Sequence, residues 1–255
     1  MALLTLGFAL TLAALIGFSL GVLGSGGSII TLPVLVYVAR VPPPQAVGMS
    51  LVIVGGTSAL GTLLNLRRGA LDLRVATFFA LTGMGGAFVG AKFTHLVSAP
   101  MLLFLFGTVM FVVGTRMLRN RETRPIAHKC HPLPCLATGT AVGVLTGFLG
   151  VGGGFLILPA LVVFAGLEMK PAIGTSLAVI ALNCFGGLIG QMRYLSLDWL
   201  LTLGFLLAAM AGMVAGTALA KRLSAAALRR GFAGCVVLLG VGLVARNGTT
   251  LIAAR

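Results

Sequence analysis

Two glycine runs are the residues of this chain best suited to bind something. Gly24-Ser25-Gly26-Gly27-Ser28 and Gly150-Val151-Gly152-Gly153-Gly154 each interrupt a long apolar stretch, and each is followed by a proline, Pro33 or Pro159. Such a run breaks a helix, which at membrane depth is tolerated only where protein or a water-lined cavity satisfies the freed backbone groups. The helix that restarts after the break presents free N–H groups and the positive end of its dipole, so it attracts an anion without a buried cation. Gly26, Gly27, Ser28, Gly152, Gly153 and Gly154 are therefore candidate substrate-binding residues. Close helix approach is the competing use of the same glycines.

A second polar pattern lies downstream. Ser50, Thr57, Gly61 and Asn65 correspond to Ser176, Asn183, Gly187 and Gln191 at a constant offset of 126. Their spacing places them near one helix face. The stripe, with Thr175 beside it, fits the lining of a substrate pathway, and it fits interhelical hydrogen bonding equally well. Arg67 and Arg193 end the two stripes. They are read either as snorkelling side chains or as gating residues that attract an anion, since a guanidinium gives bidentate recognition of a tetrahedral oxyanion. Asp72 and Asp198 are expected to cap the next helix in each half. With no Gly-Lys dipeptide, no G-x-S-x-G and no H-E-x-x-H, the chain shows no nucleotide loop and no catalytic constellation. We expect no enzyme activity, no cofactor and no metal.

These residues sit in a duplicated chain. Residues 17–51 align without gaps on 143–177, and fifteen of the thirty-five pairs are identical, including Gly24/Gly150, Pro33/Pro159 and Ser50/Ser176. Apolar composition alone would match about one pair in ten. Internal duplication in a hydrophobic chain points to a membrane transporter.

Apolar residues make up 58% of the 255 residues and charged ones 9%, with a mean hydropathy of +1.12. That is too little charge for a soluble surface. Apolar stretches at about 2–39, 46–66, 75–91, 99–115, 136–165, 172–192, 199–220 and 231–245 read as an all-α integral membrane protein of two homologous repeats. Each repeat has four to five membrane segments, eight to ten in total, with Gly-interrupted discontinuous helices. The organisation is a first repeat over 1–115, a basic cytoplasmic linker over 116–135 and a second repeat over 136–255. If each long first stretch is one crossing, the repeats are parallel and Lys and Arg divide eleven inside to seven outside. If it is broken and returns, they are inverted and the division is thirteen to five. The positive-inside bias favours the inverted arrangement.

The net charge of +14 comes from residues at helix ends and in the linker, which excludes nucleic acid in favour of a lipid bilayer as the surrounding medium. Cys130, Cys135, His128 and His131 cluster in the linker, but two prolines divide them and they lack structural-zinc spacing. No intramembrane carboxylate is visible for proton coupling. A proton as coupling ion would then act through the substrate's own protonation.

The motifs G-x-L-G-S-G-G-S-x-x-T-L-P-x-L, A-V-G-M-S-L and R-x-G-A-L-D-L-R, and in the second copy G-x-G-G-G-F-L-I-L-P-x-L, A-I-G-T-S-L and Y-L-S-L-D-W, resemble the TauE/SafE family of membrane permeases over nearly the whole chain. The resemblance implies a multi-pass protein of the bacterial cytoplasmic membrane that transports, often exports, sulfite or small organosulfonates. The small anion would lie between the repeats near the helix breaks. A passive anion channel and a non-transporting scaffold subunit are the alternatives, and a homo-oligomer is compatible with either. The copies differ where Met49 faces Thr175 and where Ser28 faces Gly154, so the two halves would contact a substrate unequally.

Overall fold

The computed structural model describes residues 2–25, 27–93, 99–119, 136, 139–144, 154–163, 166–191 and 198–253. All of its regular structure there is helical. Helix α1 is Ala2–Leu23, and α2 (Gly27–Pro33) continues into a π-helical turn over Val34–Val38. Then follow α3 (Pro43–Leu66), α4 (Leu73–Phe93), α5 (Ala99–Arg119), α6 (Gly154–Val163), α7 (Met169–Gln191), α8 (Trp199–Arg222) and α9 (Ala225–Ala253). Residues 139–144 are also helical. The first long apolar stretch is thus two helical pieces, as its glycines dictate. Arg116 and Arg119, expected in the linker, fall in the last turn of α5, where cations favour a helix C-terminus. The rest of the linker lies outside the described residues.

Local chemistry fixes the ends of these helices. Proline opens α3, where its missing N–H costs nothing. Gly69, at φ +64°, closes α3: Gly69 N–H donates to Leu66 O and Ala70 N–H donates to Asn65 O, both at 3.1 Å, the paired bonds of a Schellman ending. Asp72 Oδ1 accepts from Val75 N–H at 3.1 Å and Asp198 Oδ1 from Leu201 N–H at 3.1 Å. The expected caps are therefore made at both counterpart positions. Helices α3 and α7, α4 and α8, and α5 and α9 start at residues 43 and 169, 73 and 199, and 99 and 225, each pair separated by the sequence offset of 126.

Glycine lets helices from opposite copies touch backbone to backbone. A methyl group at Gly17 would run into Ala209 O, one at Gly212 into Ala14 O and one at Gly216 into Phe18 O, so α1 and α8 lie parallel in close contact. The counterpart contact repeats this: Gly143 faces Gly83 O and Gly86 faces Thr140 O, joining 139–144 to α4. Counterpart helices pack the other way. Gly55 of α3 faces Cys184 of α7, while Gly61 faces Leu177 and Gly174 faces Asn65, so α3 and α7 are antiparallel. Gly114 facing Val237 and Gly240 facing Phe111 give the same relation for α5 and α9. The copies therefore interlock, each supplying a helix to the other.

Several hydroxyls lie inside while many large apolar side chains face outward. Thr31, Thr57, Ser58, Thr175, Ser176, Thr202 and Thr217 are buried, whereas Phe8, Leu15, Leu200, Leu207 and Leu238 are exposed. This polarity suits a lipid surround, in which apolar burial drives no helix association and close packing must do so. Gln45–Leu66, Met169–Ile189, Trp199–Arg222 and Ala225–Gly242 are long and apolar enough to cross a membrane, and Gly7–Leu23 is a shorter apolar stretch. Gly212→Val should lower the thermal midpoint in detergent by about 5 °C or more through overpacking. Gly7→Ala, where an added methyl meets nothing within 4 Å, should leave it unchanged.

Candidate functional site

Helix α1 stops because Gly24 turns left-handed at φ +75°, where a side chain is strained. Gly24 N–H still donates to Leu20 O at 2.7 Å, and the chain then restarts as α2. The break is held by the other copy: Ser176 Oγ on α7 shares its proton between Gly24 O and Ile173 O, both at 2.9 Å. Gly27 is buried against α1, and a methyl group there would sit 2.5 Å from Ile16 O. Gly27 thus meets the requirement of close approach between α2 and α1. Gly26, Gly152, Gly153 and Arg193 lie outside the described residues. Ser28 lies on α2, Gly154 opens α6 and Gln191 ends α7.

Most of the polar stripe spends its donors on its own helices. Ser50 Oγ donates to Val47 O at 2.8 Å, Thr57 Oγ1 to Ile53 O at 2.6 Å and Asn65 Nδ2 to Gly61 O at 2.8 Å. Thr175 Oγ1 accepts from Asp72 N–H at 3.1 Å, a bond between copies that its counterpart Met49, also buried, has no oxygen to make. Thr175 and Ser176 therefore fasten α7 to the start of α4 and to the first helix break.

Asn183 differs from its counterpart Thr57. Its Oδ1 is buried and has no hydrogen-bond partner, and it lines a cavity of about 70 Å³ with Phe79, Gly83, Met84, Gly139 and Val179. The counterparts of Gly83 and Gly139 are Ala209 and Ala13, whose methyl groups occupy the corresponding places.

A larger cavity, about 180 Å³, opens where α3 and α8 end and α7 and α9 begin. Arg68, Lys170 and Lys221 line it together with Asn65 and Thr217, and no carboxylate is among its lining residues. Arg67, the expected anion-attracting residue, is exposed at the end of α3 and is not part of this lining. Its neighbour Arg68 is, because the Gly69 turn carries the chain back over the mouth. Sequence spacing missed Lys170 and Lys221, which are 51 residues apart in the chain. The only hint lay in the expected inverted arrangement, which puts both on the side of Arg68.

A family model described as "Sulfite exporter TauE/SafE" matches residues 9–243. The chain belongs to this family. A TauE/SafE relative from Xylella fastidiosa (strain 9a5c), named "Probable membrane transporter protein", is 39% identical over 251 residues, covering 94% of this chain and 95% of the relative. "Probable membrane transporter protein YdhB" of Bacillus subtilis is 27% identical over 208 residues, covering 79% and 85%. "Probable membrane transporter protein MJ0441" of Methanocaldococcus jannaschii is 26% identical over 207 residues, covering 77% of each. No solved structure matches this TauE/SafE chain.

Two substitutions compare a bonded polar group with an unpartnered one. Ser176→Ala removes a buried bond and strips Gly24 O of its side-chain donor, which should cost about 1 kcal/mol, or about 2–4 °C in the thermal midpoint. Asn183→Leu removes an unpartnered buried oxygen and should hold or raise the midpoint. Differential scanning fluorimetry of the purified variants in detergent measures both.

Proposed function

We propose that this membrane transporter is a secondary carrier of small sulfur-containing anions, sulfite or organosulfonates, that works as an exporter in the bacterial cytoplasmic membrane. The observation that carries this reading is the discontinuous first helix, whose glycine break docks through Gly24 O on Ser176 of the opposite copy, in a chain of the sulfite exporter family. A break shared between copies is a place where backbone N–H groups can meet an anion while the two copies move against each other. The antiparallel packing of α3 on α7 and of α5 on α9 supports inverted repeats, with the mouth lined by Arg68, Lys170 and Lys221 on the cytoplasmic side. Substrate contacts then come from Gly26, Gly27 and Ser28 with Gly152, Gly153 and Gly154.

The carrier requires no catalytic step and no cofactor. Coupling to protons proceeds through the substrate, since sulfite changes charge near neutral pH and the membrane segments offer no carboxylate of their own.

Purified protein in liposomes should move at least one of labelled sulfite, sulfoacetate and taurine in a saturable way, and a sulfite flux should respond to an imposed pH gradient. Gly24→Val should abolish that flux. Flux that does not saturate and ignores the gradient would assign a channel instead. Absence of flux across the panel would reject the carrier.

A further inference from the structure

We infer that the cavity lined by Arg68, Lys170 and Lys221 is a docking site for a small oxyanion, built from a basic trio that the sequence does not repeat at the counterpart positions. The inference rests on the carrier reading for its physiological role but not for its test. Three cations from three separate places in the chain converge on one opening of about 180 Å³ without a carboxylate in the lining. Lys221 lies in the last turn of α8, where a cation is favourable. Lys170 lies in the first turn of α7, where the helix dipole disfavours one. Its position there does not serve the helix, but an anion in the cavity would be held by the ammonium and the positive end of α7 together.

The duplication supplies the comparison that gives the cluster its meaning. At the offset of 126, Arg68, Lys170 and Lys221 correspond to Tyr194, Pro44 and His95, whereas Arg67 corresponds to Arg193. A basic residue at each stripe end is thus common to both copies. The cavity-lining trio belongs to one mouth alone, and it is the part that departs from symmetry. A cationic opening raises the local anion concentration and the capture rate at low ionic strength. The size suits a sulfonate or sulfite group with a short organic tail, and an anionic lipid headgroup carries the same chemistry.

Cysteine modification tests the site without transport. In a background with the four native cysteines replaced, Ala70→Cys in the cavity lining should react about tenfold faster with a sulfonate-bearing methanethiosulfonate than with its trimethylammonium analogue, after correction for intrinsic reactivity. The preference should fall to near one with Arg68→Gln, Lys170→Gln and Lys221→Gln combined, and also at high salt, whereas Arg67→Gln should leave it in place. Ser196→Cys, the counterpart of Ala70, should show no such preference. A ratio near one at Ala70, or one the triple variant leaves unchanged, would overturn the inference. Survival of the preference in vesicles containing phosphatidylglycerol supports a soluble anion, and its loss there assigns the cavity to a headgroup and overturns the docking role. In the same vesicles the triple variant should raise the half-saturation for sulfite about tenfold from the cavity side and little from the other. A wild-type protein that moves none of sulfite, sulfoacetate and taurine yet shows the labelling preference would refute the carrier reading and leave the anion site standing.

Discussion

Backbone-to-backbone contact through glycine is the interaction on which this architecture depends. In lipid no hydrophobic gain accompanies helix association, so helices must come close enough for dense packing and backbone dipoles to hold them. Gly17, Gly21, Gly212 and Gly216 bring α1 against α8, and Gly83, Gly86 and Gly143 reproduce the contact for α4 and residues 139–144. Each of these contacts joins one copy to the other.

From this frame follows the different fate of equivalent residues. Ser50 and Ser176 occupy matching places and share a back-bond to the carbonyl three residues earlier. Thr175 holds Asp72 where Met49 can only fill space. Asn183 faces a small cavity where Thr57 is satisfied on its own helix. Matching positions thus carry different bonds, and both the bonded Thr175 and the unpartnered Asn183 Oδ1 belong to the second half.

Much of the fold was legible in the amino-acid sequence. The glycine break, the Asp72 and Asp198 caps and the helix starts spaced by 126 residues follow from local backbone chemistry that residue types declare openly. The split of the first apolar stretch was read from its length and its glycines, and the structure places the break at Gly24. The candidate site was legible only in part. Spacing could not distinguish a stripe that lines a pathway from one that bonds to its own helix, because Thr57 and Asn65 look alike in either use. Nor could it bring Arg68, Lys170 and Lys221 together, since their meeting depends on the ends of α3 and α8 lying level with the start of α7. That level is a property of tertiary packing and of the turn at Gly69.

The direction in which counterpart helices run decides most of the account. In the interlocked structure the turn after α3 and the connection between α8 and α9 lie at the same mouth, whereas parallel repeats would place them on opposite faces of the membrane. The most direct measurement is labelling of single cysteines at Ala70, Ser224 and Arg40 by an impermeant thiol reagent in intact cells. The account predicts that Ala70→Cys and Ser224→Cys are both protected and that Arg40→Cys is labelled. Labelling of Ser224→Cys alongside protection of Ala70→Cys would contradict it.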